Sequence, residues 1–383
     1  MRDGSPLHDA LGDARAWAGD WLFDSALPLW WEVGFDSEFN GFYDRIDREG
    51  RPVNVPKRLR VQARQIFVYA RAGELGWKGP WQEAVERGLQ FMLSRYKRND
   101  GLYRCLVSRD GQCASNQADL YDQAFVIFAL AAAHKAGHAR PKVNAEARAL
   151  LGVLEANYSH PMGGFREIGD CRYLRSNPHM HMLEALLAWV EQGLDSEFGE
   201  KAREIVALAN AHFLDQSTGA VAEFFGLDWN FVADDAGSIR EPGHQFEWAY
   251  LLYQAERLLG GDHSVACKRL YDFASHYGVL EGRVLCSLGP AGNPIDMSSR
   301  LWAQTERLRT VVMRLSAARS HASGAAVTEF MESFYCVKQF LDQHSRRGLW
   351  HDRIAPDGSW VEEPVPASSL YHILTGLDPL LSL

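Results

Sequence analysis

Six times along this chain a glycine is followed by one to three apolar or aromatic residues and then by polar turn residues. The segments are NGFYDRIDREG at Gly41, DGLYRCLVSRDG at Gly101, GGFREIGD at Gly164, TGAVAEFFGLD at Gly219, YGVLEGRVLCSLG at Gly278 and RGLWHDRIAPDG at Gly348. Their spacings are 60, 63, 55, 59 and 70 residues, a period that signals repeated supersecondary units. Between them apolar residues recur with the helical period. That periodicity predicts twelve helices, at 8–32, 57–77, 80–96, 116–137, 143–158, 178–194, 196–213, 242–260, 262–277, 298–318, 324–343 and 367–382.

Each glycine segment follows an odd-numbered helix and precedes an even-numbered one, so the unit is helix, β-like turn, helix. Six such hairpins stack either as an open solenoid or as a closed toroid. Even helices such as QAFVIFALAAAH are apolar nearly all round, as an inner ring would be, and the last segment, YHILTGLDPLLSL, lacks the polar face of a terminal cap. The expectation is an all-α (α/α)6 barrel, one domain over residues 1–383, with short β-like hairpins at one end.

A chain of 383 residues that is 46% hydrophobic can bury a large core. Its net charge of −9 is well mixed and gives no reason to expect nucleic acid or an anionic membrane as partner. The apolar run AFVIFALAAA (124–133) is about half of a bilayer span. MRDGSPLHDALGDARAW has no basic patch followed by an apolar stretch, so a secretory signal is not expected. Cysteines 105, 113, 171, 267, 286 and 336 form no CxxC pair and read as reduced thiols of a cytoplasmic protein. The expected assembly is a monomer or homodimer.

In such a toroid the long connections share one end, where the inner helices begin, so polar residues in those first turns should converge on one cleft. They are Arg64; Tyr121 and Asp122; Asn177, His179 and His181; His244 and Glu247; Trp302, Gln304 and Glu306; and Tyr371 and His372. A lone histidine at a helix start is usually a cap or a satisfied core residue. Here three of the six helices carry one, from 14 histidines in all. His179 and His181 point roughly 200° apart on a helix, so only one can face the cleft. There is no HExxH, and an i,i+2 pair chelates poorly from a helix, so no metal or other cofactor is expected.

The macrodipole at a helix N-terminus disfavours an imidazolium, so His244 is expected to stay neutral and to accept a proton from carbon near pH 7. Glu247 shares its helical face and would orient the ring or bind a hydroxyl. His372 would approach the same ligand from another side. Arg64 and His181 would stabilise an enediolate oxygen.

In these segments the chain resembles the N-acylglucosamine 2-epimerase superfamily, which includes cellobiose 2-epimerases, mannose isomerases and sulfoquinovose isomerase. QARQ (62–65), NPHMHMLEA, PGHQFEW, WAQTE (302–306) and LYHI look like its arginine, asparagine–histidine, histidine–glutamate, tryptophan–glutamine–glutamate and C-terminal histidine segments. The resemblance spans nearly the whole chain. It implies an (α/α)6 barrel, a metal-free acid/base pair in His244 and His372, and sugar contacts from Arg64, Tyr121, Asn177, His181 and Glu247. The segment WAQTE adds Trp302, Gln304 and Glu306 to the expected substrate contacts. Trp248 after the glutamate looks more like the aldose–ketose isomerases than the epimerases. Arg60 departs from the tryptophan that relatives often place there, and an added cation would suit an anionic or phosphorylated sugar. The leading expectation is thus a mannose-like aldose converted to a ketose through a cis-enediol, with 2-epimerisation as the alternative. Two other readings remain at this stage. One is an inverting glycosidase using Glu247 with Glu306 or Asp122; the other is a sugar-binding protein without turnover.

Overall fold

The computed structural model describes residues 6–194, 196–318 and 324–383. Its helices are α1 (Pro6–Trp21), α2 (Leu27–Glu32), α3 (Leu59–Glu74), α4 (Trp81–Arg95), α5 (Leu120–Lys135), α6 (Arg140–Tyr158) and α7 (Ser176–Val190). They continue as α8 (Ser196–Leu208), α9 (Pro242–Leu259), α10 (Ser264–Tyr277), α11 (Leu301–Ala318), α12 (Gly324–Asp342) and α13 (Ser369–Leu381). A π-helical turn, Leu22–Ala26, joins α1 to α2 into one rod, so the described residues form the twelve rods that periodicity predicts. Pro28, at the start of α2, has no N–H to donate, which suits the change of helical register there.

Helices α3, α5, α7, α9, α11 and α13 each contact the next, and α13 returns to α3, which closes the ring. The chain folds as an (α/α)6 barrel. Burial separates the two layers as the sequence requires: twelve of sixteen residues of inner helix α5 are buried, against a six-residue stripe of the fifteen in outer helix α4. Among the described residues no helix is long and apolar enough to cross a membrane, and all six cysteines are free thiols.

The glycine segments sit together at the N-terminal end of the inner ring. Each of the first four closes by an antiparallel bridge across its turn: Phe35 to Phe42, Lys97 to Tyr103, Ser159 to Phe165 and Leu214 to Val221. Gly41, Gly101, Gly164, Gly219 and Gly348 all have φ between 71° and 90°, where a Cβ would be strained. Gly278 is different. Its φ is −93°, and its requirement is space, because a Cβ would meet Pro242 at 2.4 Å.

The inner helices start two to four residues later than periodicity suggests at several places. Helix α7 instead starts two residues early. The residues just before α3, α7 and α11 belong to two-residue strands that pair between neighbouring units: Lys57–Arg58 with Leu106–Val107, Leu174–Arg175 with Phe224–Phe225, and Ser299–Arg300 with Arg353–Ile354. Arg45–Ile46 pairs with Val365–Pro366 and so fastens the first unit to the last.

Candidate active site

One device repeats beneath every unit but the last. A side chain in the first turn of the inner helix clasps the backbone just after the glycine. Gln62 accepts from the Phe42 N–H at 2.7 Å and donates to its carbonyl at 2.8 Å. Gln123 does the same to Tyr103, Gln245 to Val221 and Gln304 to Val284. His179 fills this place in the third unit, its Nε2 accepting from the Phe165 N–H at 2.9 Å and its Nδ1 meeting the Arg175 carbonyl at 3.0 Å. Two sequence expectations are decided here. His181, not His179, belongs to the cleft. Gln304 is a brace and not a sugar contact, because its amide is fully engaged by Val284 and by the Arg300 carbonyl at 3.0 Å.

The other first-turn residues do converge. His244 and His372, 128 positions apart in sequence, both pack on the Trp302 indole, with ring centroids 4.8 and 5.8 Å from it. Each imidazole presents Nδ1 to a carboxylate: His244 to Glu223 at 2.9 Å and His372 to Glu306 at 2.8 Å. Their surroundings then diverge. Burial opposes charge on His244, but Glu223 and Glu241, the latter at 3.6 Å, outweigh it and push the pKa up to about 10. A helix dipole is worth about 0.3–1 kcal/mol, less than one pKa unit. Two carboxylates beside a buried ring therefore overturn the expectation that His244 stays neutral.

His372 goes the other way. Burial, then the Arg64 charge, holds it well below the usual histidine range. Its Glu306 partner is shared with Arg309, whose Nη1 lies 3.4 Å away, and burial pushes that carboxyl up to about 7. Neither Glu223 nor Arg309 was legible as a site residue. Glu223 lies in the fourth hairpin, 21 residues before its histidine, and Arg309 follows Glu306 by three positions on one face of α11.

Below the indole lies a cluster of charge. Glu184 accepts from the Tyr371 hydroxyl and lies 3.3 Å from His181 Nδ1 and 3.5 Å from Arg309. Those partners hold it down to about 2 despite burial. Burial takes His181 to about 4, so its ring is neutral. Glu247 is fully buried and neither carboxylate oxygen has a hydrogen-bond partner. Burial, with Glu306 and Glu184 nearby, raises its pKa well above the ordinary glutamate value, and its Oε1 lies 3.7 Å from His181 Nδ1.

Arg64 is the cationic counterpart of that unpartnered acid. It donates to the Tyr121 hydroxyl at 2.6 Å and reaches the Ser368 carbonyl at 3.5 Å, among the rings of Phe125 and Tyr371. Its Nε has no partner, and no carboxylate pairs with it among the described residues. Asn177 sits 3.3 Å from His244 Nε2 with its Oδ1 unbonded. An amide turned end for end would offer that oxygen to an imidazolium N–H. Arg60 does not add a free cation, since it bonds Asp122 at 2.7 Å. Trp248 packs on Phe213 in the core, away from these groups.

Two triads could hold a cation: His181, Glu184 and Glu247; and Glu223, Glu241 and His244, each with ligand atoms within 4.8 Å of one another. In the second, cation and imidazolium proton are alternatives at Nδ1.

Residues 41–376 match the N-acylglucosamine 2-epimerase (GlcNAc 2-epimerase) family. The chain belongs to that family. It is 39% identical to the mannose-6-phosphate isomerase of Rhizobium meliloti (strain 1021) over 98% of both chains. It is 24% identical to the cellobiose 2-epimerase of Bacteroides fragilis over 87% of this chain and 89% of that one. The solved structure of a D-mannose isomerase superposes with a TM-score of 0.84 at 19% identity, covering 96% of this chain and 98% of the other, a likeness of fold. This member of the family is accordingly an enzyme of the isomerase and epimerase class.

Proposed function

We propose that the enzyme interconverts a mannose-like aldohexose and its ketose by proton transfer between C2 and C1. The observation that carries this reading is a pair of imidazoles of opposite charge preference packed on one indole. Neutral His372 is the base. Its Nε2 takes the proton from C2 while Glu306 holds Nδ1, and the C2–H electron pair becomes the C1–C2 double bond. The carbonyl oxygen at C1 becomes the enediolate oxygen, next to Arg64, whose charge no protein carboxylate answers. Imidazolium His244 protonates that oxygen. His244, now neutral, takes the O2 proton, the C2 carbonyl forms, and C1 receives the proton held by His372. Glu247, Asn177, Tyr121 and His181 supply donors and acceptors for the hydroxyls, and Trp302 the apolar face.

Delivery of a proton to the opposite face of C2 by His244 would instead give the 2-epimer. A 6-phosphorylated hexose is the second reading of the substrate, favoured by the 39% identical relative. Arg300, half exposed at the start of α11 with Asp352 at 3.4 Å, is placed to turn toward such a group. Mannose and mannose 6-phosphate, each incubated with enzyme in deuterated water and followed by proton NMR, test both points. The expected product is fructose or its 6-phosphate, with deuterium at C1 to the extent that the proton held by His372 exchanges with solvent before its return. Glucose or its phosphate as sole product contradicts the isomerase reading.

A further inference from the structure

The inner helices all run the same way, so their C-termini gather at the end of the barrel away from the histidines. There they surround a cavity of about 480 Å³. Small residues keep it open: α5 finishes in AAAH and α7 in ALLAW, which puts Ala131, Ala132 and Ala188 in the wall. Phe67, Phe128, Leu187 and Leu251 supply its apolar faces.

The cavity is ringed by charge, but the charge cancels. Arg71 meets Asp378 at 2.7 Å and Glu74 at 2.6 Å. Lys135 and Arg257 lie 3.1 and 3.5 Å from Glu191. At the floor Arg309 faces Glu184 at 3.5 Å. Four cations thus stand against four carboxylates, which leaves no net charge to select an ion. Glu184 is 6% exposed and lines the cavity, and its Oε1, though 3.5 Å from Arg309, accepts no hydrogen bond.

We propose that this cavity is a second ligand site, separate from the catalytic cleft, for a neutral disaccharide. Its volume lies within the range of about 300–1,000 Å³ usual for small-molecule sites. Aromatic walls suit the apolar faces of sugar rings, and matched ion pairs both donate to and accept from hydroxyls without favouring a charged ligand. A hydroxyl at the floor completes Glu184. The same floor reaches the catalytic base, because Arg309 also lies 3.4 Å from Glu306, which holds His372 at 2.8 Å. A hydroxyl on Glu184 takes over part of the task of Arg309 and leaves that guanidinium to Glu306. The guanidinium then answers the Glu306 charge that holds the His372 Nδ1–H, so the base is weakened and turnover slows.

Trehalose is a suitable probe, since it has no free anomeric carbon and cannot undergo the reaction. With the full-length enzyme, kcat should fall by about fivefold at saturating trehalose with KM little changed, a modest coupling between sites. Amide hydrogen exchange should slow at residues 250–258 and 375–383. Both responses should vanish in Ala188→Trp and in Ala132→Phe, which fill the cavity from two different walls and should retain wild-type turnover without trehalose. Hydrogen exchange reads binding without any turnover, so this proposal can fail while the reaction assignment stands, and the reverse. No slowing of exchange at the rear, slowing that persists in both filled variants, or a rise in KM alone would overturn it.

Discussion

The two ends of the barrel are made from the same six helices and treat charge in opposite ways. At the C-terminal end Arg71, Lys135, Arg257 and Arg309 each have a carboxylate within 3.5 Å. At the N-terminal end Arg64 has none among the described residues, and Glu247 is buried without a hydrogen bond. Leaving a buried polar group unpaired costs about 1–3 kcal/mol, more for a charge, so the front of the barrel is built against its own stability. A ligand that supplies the missing partners explains why. Substitutions of the unpaired groups at the front should therefore cost activity with little loss of stability, and those of paired groups the reverse.

The largest effect expected is at the histidines. His372→Ala and His244→Ala should each lower kcat/KM by about 10³-fold or more while thermal midpoints hold, measured by steady-state assay and melting. Arg64→Leu comes next, with a loss of about 10²-fold in kcat and an unchanged or raised midpoint, since an unanswered buried cation is removed. A drop in stability matching the drop in activity would break the contrast between the ends.

Glu223→Gln sharpens it. Removing that charge lowers the pKa of His244 from about 10, so the imidazolium is lost earlier as pH rises. For a drop of one pKa unit the imidazolium fraction at pH 9 is roughly halved, so kcat/KM should fall about twofold there, with little change at pH 7. The stability linkage has the same sense. A histidine whose folded pKa is raised contributes fully below its unfolded value of about 6.5 and loses that contribution as pH rises toward 10. The stability difference between wild type and variant should therefore shrink across that window.

Gln304→Ala should cost about 2 kcal/mol by chemical denaturation, because the Val284 N–H and carbonyl lose their partner, while KM for the sugar stays near wild type. The smallest effect is expected at the rear rim. Arg71 is about a quarter exposed, so Arg71→Ala should cost about 1 kcal/mol or less with kcat unaltered.

The glycine period and the all-round apolar even helices were enough to read the barrel. What they could not place was the start of the inner helices. Lys57–Arg58 and Ser299–Arg300 are held by strands of the next unit, and a partner in another unit leaves no mark in local periodicity. The positions of Arg64, Tyr121, Asn177, His181, Glu247 and Trp302 followed from topology alone, since every first turn opens on the same cleft. Charge did not follow. The state of His244 is set by Glu223 from a hairpin and that of His372 by burial beside Arg64 from another helix, which are surroundings made only on folding. Gln304 shares a first turn with Trp302 and Glu306 yet points its amide at the backbone, a distinction that residue type does not carry.

The imidazoles of His244 and His372 are expected to hold opposite charge in the resting enzyme. Nitrogen-15 NMR of the imidazoles, assigned with His244→Gln and His372→Gln, measures this directly. At pH 8 the ring of His244 should carry protons on both nitrogens and keep them until near pH 10, while His372 should show one bare nitrogen at every pH from 6 upward. Two rings that titrate together near pH 6.5 would contradict the account.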